Sequence, residues 1–174
     1  SLPVDKTIST IPSDTISCKF WGLGGDGTIS ATKNSIKIIG DNTDLSAQGY
    51  FEYDSKKSRG LTISHLRFGK STIRSTYLIQ KADFAACHNP VYLHKYAMVQ
   101  EVKDGGVFLL NCTTNREEYE KFFPDSFKAY VAGHHIRLYL IDAFAIGKEV
   151  GLTGRISTIL QAAFFATATL LPKE

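Results

Sequence analysis

The sequence predicts an α/β fold: one mostly parallel sheet with helices packed on both of its faces, in a single domain. Three observations lead there. Ile16 to Trp21 alternates as a strand, a glycine-rich turn follows, and from Ile29 to Ile39 apolar residues recur at helical spacing. Further on, Val107-Phe108-Leu109-Leu110-Asn111 is an uninterrupted apolar run, as a strand buried on both faces requires. Strand and helix patterns alternate along the chain, and right-handed crossovers then lay the strands parallel. Such a sheet is Rossmann-like, and 174 residues suffice for one domain of this kind.

The elements follow in order. Residues 1–14 read as a linker or arm, and residues 15–174 as the domain. The first strand and its turn lead into a helix ending near Gly40, and Asp41-Asn42-Thr43-Asp44 is turn chemistry. Ala47 to Tyr53 is a second strand. The polar, basic loop Asp54 to Gly60 leads to a third strand, Leu61 to Phe68, which alternates with period two. A short strand is expected over Thr76 to Ile79 and a turn of helix over Ala82 to Cys87. Pro90 sits well in the first turn of a helix reaching Val99, with Asn89 as its cap. Asp104-Gly105-Gly106 is a turn before the apolar strand. Short helices over Asn115 to Phe122 and Asp125 to Ala132 precede a strand at Ile136 to Ile141. Helices at Ala143 to Val150 and Ile156 to Leu171 close the domain.

Composition narrows the function. A net charge of +3 without a concentrated basic stripe argues against a nucleic-acid partner. No apolar run reaches the roughly 18 residues of a membrane span. Cys18, Cys87 and Cys112 are too few and too dispersed for a disulfide framework or an iron–sulfur cluster, which fits a reducing, cytoplasmic setting. The chain opens on a polar, proline-containing segment without a signal peptide, the look of a cut within an inter-domain linker.

The chemistry is expected in two loops at the carboxyl ends of the strands. Gly22, Gly24 and Gly27 have the Gly-x-Gly-x-x-Gly spacing, with Gly25 as an extra. Between a strand and a helix such a turn takes positive φ, lets phosphate approach the backbone and lets helix and strand pack closely. The helix N-terminus then offers free N–H groups to an anion, so Gly24, Gly25, Asp26, Gly27 and Thr28 are candidate nucleotide-binding residues. Asp54, at the end of the second strand, is placed to meet ribose hydroxyls. Lys56, Lys57 and Arg59 favour a further phosphate, as in NADP or the 3′-phospho-ADP part of coenzyme A; a solvated surface loop explains the lysines equally well. The histidines at 65, 88, 94, 134 and 135 match no zinc spacing, and Cys87-His88 adjacency does not make a catalytic pair. Arg67 and Arg74 suit an anion or a neighbouring domain. Asn111 and Asp142 end strands, where a site draws residues and where helices need caps.

Beyond these patterns, the chain resembles the γ-type (third) domain of pyruvate:ferredoxin/flavodoxin oxidoreductase. The resemblance rests on Phe20-Trp21-Gly22-Leu23-Gly24-Gly25-Asp26-Gly27-Thr28, Lys33 to Gly40, Ala47 to Phe51, Tyr53-Asp54-Ser55-Lys56-Lys57-Ser58, Ser64 to Gly69 and Ile73 to Leu78. It implies an enzyme that oxidatively decarboxylates pyruvate with coenzyme A, giving acetyl-CoA, carbon dioxide and reduced ferredoxin or flavodoxin. It also implies thiamine diphosphate, magnesium and 4Fe–4S clusters held by other domains, and a homodimeric parent in the cytoplasm or, in a eukaryote, a hydrogenosome- or mitochondrion-like organelle. In this domain the resemblance implies coenzyme A contacts at Asp26, Asp54, Lys56 and Lys57, no catalytic residue, and movement when coenzyme A binds. Gly25, where many members carry Ser, and Arg59, where Gly is commoner, depart from the family. The same module in a pyruvate:NADP oxidoreductase or a sulfite reductase flavoprotein subunit, a stand-alone NADP-binding protein and a structural docking domain are the alternatives.

Overall fold

The computed structural model describes residues 11–53, 60–74, 77–113, 118 and 121–168. Its strands are β1 (Ile16–Leu23), β2 (Ser46–Tyr53), β3 (Leu61–Gly69), β4 (Ala82–Cys87), β5 (Val102–Asn111) and β6 (Arg137–Ile141). Its α-helices are α1 (Thr28–Asn42), α2 (Asp125–Gly133), α3 (Ala143–Glu149) and α4 (Ile156–Thr167). The sheet order is β2-β3-β1-β4-β5-β6. β1, β4, β5 and β6 pair parallel, while β3 runs antiparallel between β1 and β2. Five strands therefore share one direction, and the sheet is mostly parallel as expected.

Two buried cores cover the two faces. On one, Cys18, Phe20, Leu66, Phe68, Phe84 and Leu109 pack under Ile39 of α1 and Ile159, Leu160 and Phe164 of α4. Phe164 anchors that layer, meeting Phe20 edge-on at 5.1 Å and Phe84 at 5.0 Å. On the other face, Trp21, Ala85, Phe108 and Leu110 pack against Phe127 of α2 and against Tyr92, Leu93, Met98 and Val99. Helices thus lie on both faces.

Five expectations change. Ala82 to Cys87 is a central strand, not a turn of helix. Its alanines favour a helix in isolation, but Ala82, Ala85 and Ala86 are at most 1% exposed between the two cores, and burial overrides propensity. Pro90 to Val99 is not one helix but two 3-10 turns, Pro90–His94 and Met98–Glu101; Asn89 does cap the first, accepting the Val91 N–H at 3.1 Å. Asp104-Gly105-Gly106 lies inside β5 as a bulge, where the register slips between Ala82 and Phe84 and Gly105 takes φ +70°. Strands and helices do not alternate throughout, because β2 and β3 are consecutive antiparallel strands and no helix separates β3 from β4. Of the segment Thr76 to Ile79, residues 77–79 are not strand. The helix expected over Asn115 to Phe122 lies mostly outside the described residues, and so do residues 1–10 of the arm.

Opposite α1, the β1–β3 half of the sheet carries a polar buried layer. Lys19, 5% exposed, pairs with Glu101 and lies 4.9 Å from the Trp21 ring centre. His65 accepts the Ile79 N–H on Nδ1 at 3.1 Å, so Nε2 carries the proton donated to Glu52 at 2.6 Å. Arg67 donates to Gln48 at 2.8 Å and stacks on Tyr77 at 3.8 Å. All three side chains are buried, and Arg67 Nε and Nη2 meet no partner among the described residues.

Candidate nucleotide-binding site

The glycine turn sits at the carboxyl end of β1, beside the carboxyl end of β4. α1 packs over β1, β2 and β3, whereas β4 continues the sheet the other way, so the chain reverses direction across this gap. Open α/β sheets bind ligands at such a switch point. Gly22 is held to glycine by crowding: a Cβ there would lie 2.2 Å from Thr28 Oγ1. Gly27, which precedes α1, takes φ +87°, a conformation that side chains resist.

Asp26 straps the turn from within. Its carboxylate accepts the N–H of Leu23 at 2.7 Å and that of Thr28 at 2.8 Å. The Asp26 N–H donates to Leu23 O and the Gly24 N–H to Gly60 O. Gly25 and Gly27 keep N–H groups that no described residue accepts. Free N–H groups before a helix suit an anion, and within this turn those without a described acceptor belong to Gly25 and Gly27. The Thr28 side chain is buried at 1% exposure and serves the turn's own architecture.

The second loop arrives at the same edge. Tyr53 pairs with Thr62, and Leu23 with Leu61, so β2 ends level with β1. Gly60, at the far end of the loop, is bonded to Gly24 at 2.8 Å. Asp54, Lys56, Lys57 and Arg59 lie outside the described residues; of the residues flanking them, Tyr53 stands level with the turn and Gly60 is bonded to it.

His88 and Asn111 join this edge together; the sequence marked Asn111 as a strand-end residue suited to a site or a cap, and gave His88 no part in it. Thr28 Oγ1 and His88 Nδ1 share a hydrogen bond at 2.6 Å. The His88 N–H donates to Trp21 O, and its carbonyl accepts Asn111 Nδ2 at 3.1 Å. Asn111 Oδ1 then accepts the Ala143 N–H at 3.1 Å, where α3 begins. Burial pushes the His88 imidazole down to about 4 against a smaller opposing pull from Asp26, so it is neutral near pH 7. Asp142 is a cap, accepting the Ala145 N–H at 2.9 Å.

Cys87 is no nucleophile: burial pushes its thiol up to about 12, and it donates to Asn89 O at 3.0 Å. Among the described residues no three His, Cys, Asp or Glu converge as a metal site, and the three cysteines are buried and free. Three separate cysteines do not supply the four thiolates of an iron–sulfur cluster. No helix among the described residues is long and apolar enough to cross a membrane. Beyond the His88–Asn111 bridge, Pro90, Asn111, Cys112, Thr113, Glu118, Phe122 and Phe144 line a mostly apolar cavity of about 290 Å³.

Fold and turn together define a doubly wound α/β domain with a nucleotide-type glycine turn at its switch point. The chain belongs to the pyruvate ferredoxin/flavodoxin oxidoreductase family, which matches residues 17–174. It is 54% identical over its full length to pyruvate:ferredoxin oxidoreductase of Moorella thermoacetica. It is 51% identical over 99% of its length to pyruvate-flavodoxin oxidoreductase of Enterobacter agglomerans, and 46% over 96% to pyruvate dehydrogenase (NADP+) of Cryptosporidium parvum. The chain spans only 15% of the first two relatives and 9% of the third. Its fold matches a pyruvate oxidoreductase subunit of Thermotoga maritima with a TM-score of 0.72 at 17% identity, covering 92% of this chain and 80% of that one. A 2-oxoglutarate:ferredoxin oxidoreductase from Magnetococcus marinus matches with a TM-score of 0.64 at 15% identity, over 91% of this chain and 26% of that one.

Proposed function

We propose that this chain is the coenzyme A-engaging domain of an enzyme that oxidatively decarboxylates pyruvate to acetyl-CoA, passing electrons to ferredoxin or flavodoxin. In this reading the glycine turn takes the pyrophosphate on the N–H groups of Gly25 and Gly27. Asp54, Lys56 and Lys57 take the phosphorylated ribose. One observation carries it: the loop bearing Asp54 to Lys57 starts at Tyr53, level with the turn, and ends at Gly60, hydrogen-bonded to Gly24. One nucleotide end of a ligand can therefore meet both loops. Family membership and the names of the relatives support the pyruvate chemistry, and the Magnetococcus marinus structure is described with coenzyme A bound. Thiamine diphosphate and the clusters belong, in this reading, to other domains of the same enzyme.

The test is a calorimetric titration of the full-length enzyme with coenzyme A, 3′-dephospho-coenzyme A, NADP and NAD, repeated on Lys56→Ala/Lys57→Ala. Two charge-assisted phosphate contacts are worth roughly 10-fold each. The double variant should therefore weaken coenzyme A by about 100-fold and leave the dephospho form almost unaffected. Tighter binding of NADP than of coenzyme A at these lysines would overturn the assignment.

A further inference from the structure

At the amino end of the sheet, remote from the glycine turn, a buried positive charge stands without a counter-charge among the described residues. Arg67 lies near the end of β3, on the face opposite α1, and is 1% exposed. Its Nη1 donates to the uncharged Gln48 at 2.8 Å, while Nε and Nη2 meet no partner among the described residues. The cations around it are matched: Lys19 by Glu101, and Lys103 by Asp83 at 2.8 Å. Glu52 is committed to His65, and Asp83 also accepts the Ser17 N–H. Burial pushes the Arg67 guanidinium down, and the group that opposes this is the Tyr77 phenol, not a carboxylate. A buried charge left this way is one of the costliest features a fold can carry.

Further unpartnered groups gather at the same place. Ser17 is the cross-strand partner of Arg67, so their Cβ atoms stand about 5 Å apart on one face. Ser17 Oγ is fully buried and unpartnered among the described residues. Thr15, one residue before β1 and 6% exposed, adds an unpartnered Oγ1. It is close to the end of β3, since a Cβ on Gly69 would lie 3.1 Å from Thr15 Cα. The other two such hydroxyls, on Thr62 and Ser64, belong to the α1 side of β3 with Leu66. The Tyr77 ring covers the guanidinium, its centre 3.8 Å from Arg67 Cζ. Stacking occupies the flat face and leaves the N–H edge for an acceptor in its plane. Every group here can donate, and none is an anion. A water molecule would bring two more donors and no charge. A small anion accepts from all of them and neutralises the guanidinium. The cover is thin, a half-buried Tyr77 next to an exposed Leu78, so an ion reaches the site with less displacement than a side chain from elsewhere.

We infer that Arg67, Ser17 and Thr15 form a binding site for a small monovalent anion, a halide or a formate-sized carboxylate, enclosed between the β1–β3 pair and Tyr77. The anion fastens β3 to β1 at the end of the sheet away from the turn. The site stands apart from the coenzyme A reading and does not depend on it.

The test uses the full-length enzyme, with bromide and formate as probes and gluconate, a bulky anion, as the control at matched ionic strength. Arg67→Met removes the charge and the donors but keeps an unbranched stem, and Ser17→Ala removes one hydroxyl and keeps the charge. In crystals soaked in bromide, anomalous density should lie at hydrogen-bond distance from Arg67 Nε or Nη2. Deuterium exchange over Leu61–Gly69 should slow by about tenfold when formate or bromide is at ten times its dissociation constant. Arg67→Met should abolish that slowing, and it should fold, because it removes an unpaired buried charge. Ser17→Ala carries the same test without touching the charge, and should raise the anion concentration needed by about fivefold, the worth of one hydrogen bond. Water alone at Arg67 in the bromide crystals, a carboxylate side chain of the enzyme seated there, or equal slowing in gluconate and formate overturns the inference.

Discussion

Acid should unfold this domain partly through one imidazole. His88 is tied to Thr28 by Nδ1, and burial pushes its pKa down to about 4, against about 6.5 in an unfolded chain. Between those values the unfolded chain binds a proton that the folded chain refuses. The stability that depends on a neutral His88 is therefore complete above pH 6.5 and drains away as pH falls toward 4. At 1.36 kcal/mol per pH unit the upper bound is about 3 kcal/mol, a large share of a typical 5–15 kcal/mol total. His65, also pushed down by burial against an opposing pull from Glu52, adds a loss of the same sign. Urea unfolding of this chain at intervals from pH 7.5 to 4.5 measures the slope, and His88→Asn, which keeps a polar group near Thr28 without titrating, removes the His88 part. The variant should lose stability at pH 7.5 yet show a flatter pH dependence. Parallel curves for wild type and His88→Asn would refute the reasoning. Nitrogen NMR of the ring, showing it neutral at pH 5.5, is the independent check.

Two further changes follow from the same edge. Asn111→Ala strands the His88 carbonyl and the Ala143 N–H, each buried group costing about 1–3 kcal/mol, so calorimetry should show a midpoint lower by roughly 5–10 °C. Asn111→Asp should recover little of that, since it keeps an acceptor for Ala143 but loses the donor to His88. Gly22→Ala drives a methyl into Thr28 and should cost about 1–3 kcal/mol through overpacking, with amide shifts confined to Gly22–Thr28 and His88; shifts spread over α2 would count against a local clash.

Much of this architecture was legible because local signals and tertiary fate agreed. The alternation of Ile16 to Trp21, the glycines and the helical spacing after Thr28 all pointed one way, and β1, the turn and α1 stand as expected. Alternation likewise marked β3, but not its direction, since pairing partners are a property of the whole sheet. β4 was illegible for a physical reason: alanine is a good helix former, and only its place between two aromatic cores makes it a strand. Misreading β4 also hid His88, whose meaning depends on standing at the carboxyl end of a central strand. Asn111 was seen as a strand-end residue, but its two-sided bridge needs β4 and α3 in place. Asp26 was legible as a turn residue, while its role as the turn's own acceptor depends on where Leu23 and Thr28 point.

One border of the sheet has a consequence for handling the molecule. β6 pairs only with β5 among the described strands, and Tyr139 and Leu140 stand on it 39% and 37% exposed. Among the described residues no strand claims the outer backbone donors and acceptors of its five residues, and Arg137 is the only charge along it. Extended chains of any origin can zip onto such an edge. In concentrated solution the domain is therefore prone to recruit its own copies through β6, and a single lysine at Tyr139 is the economical guard against that.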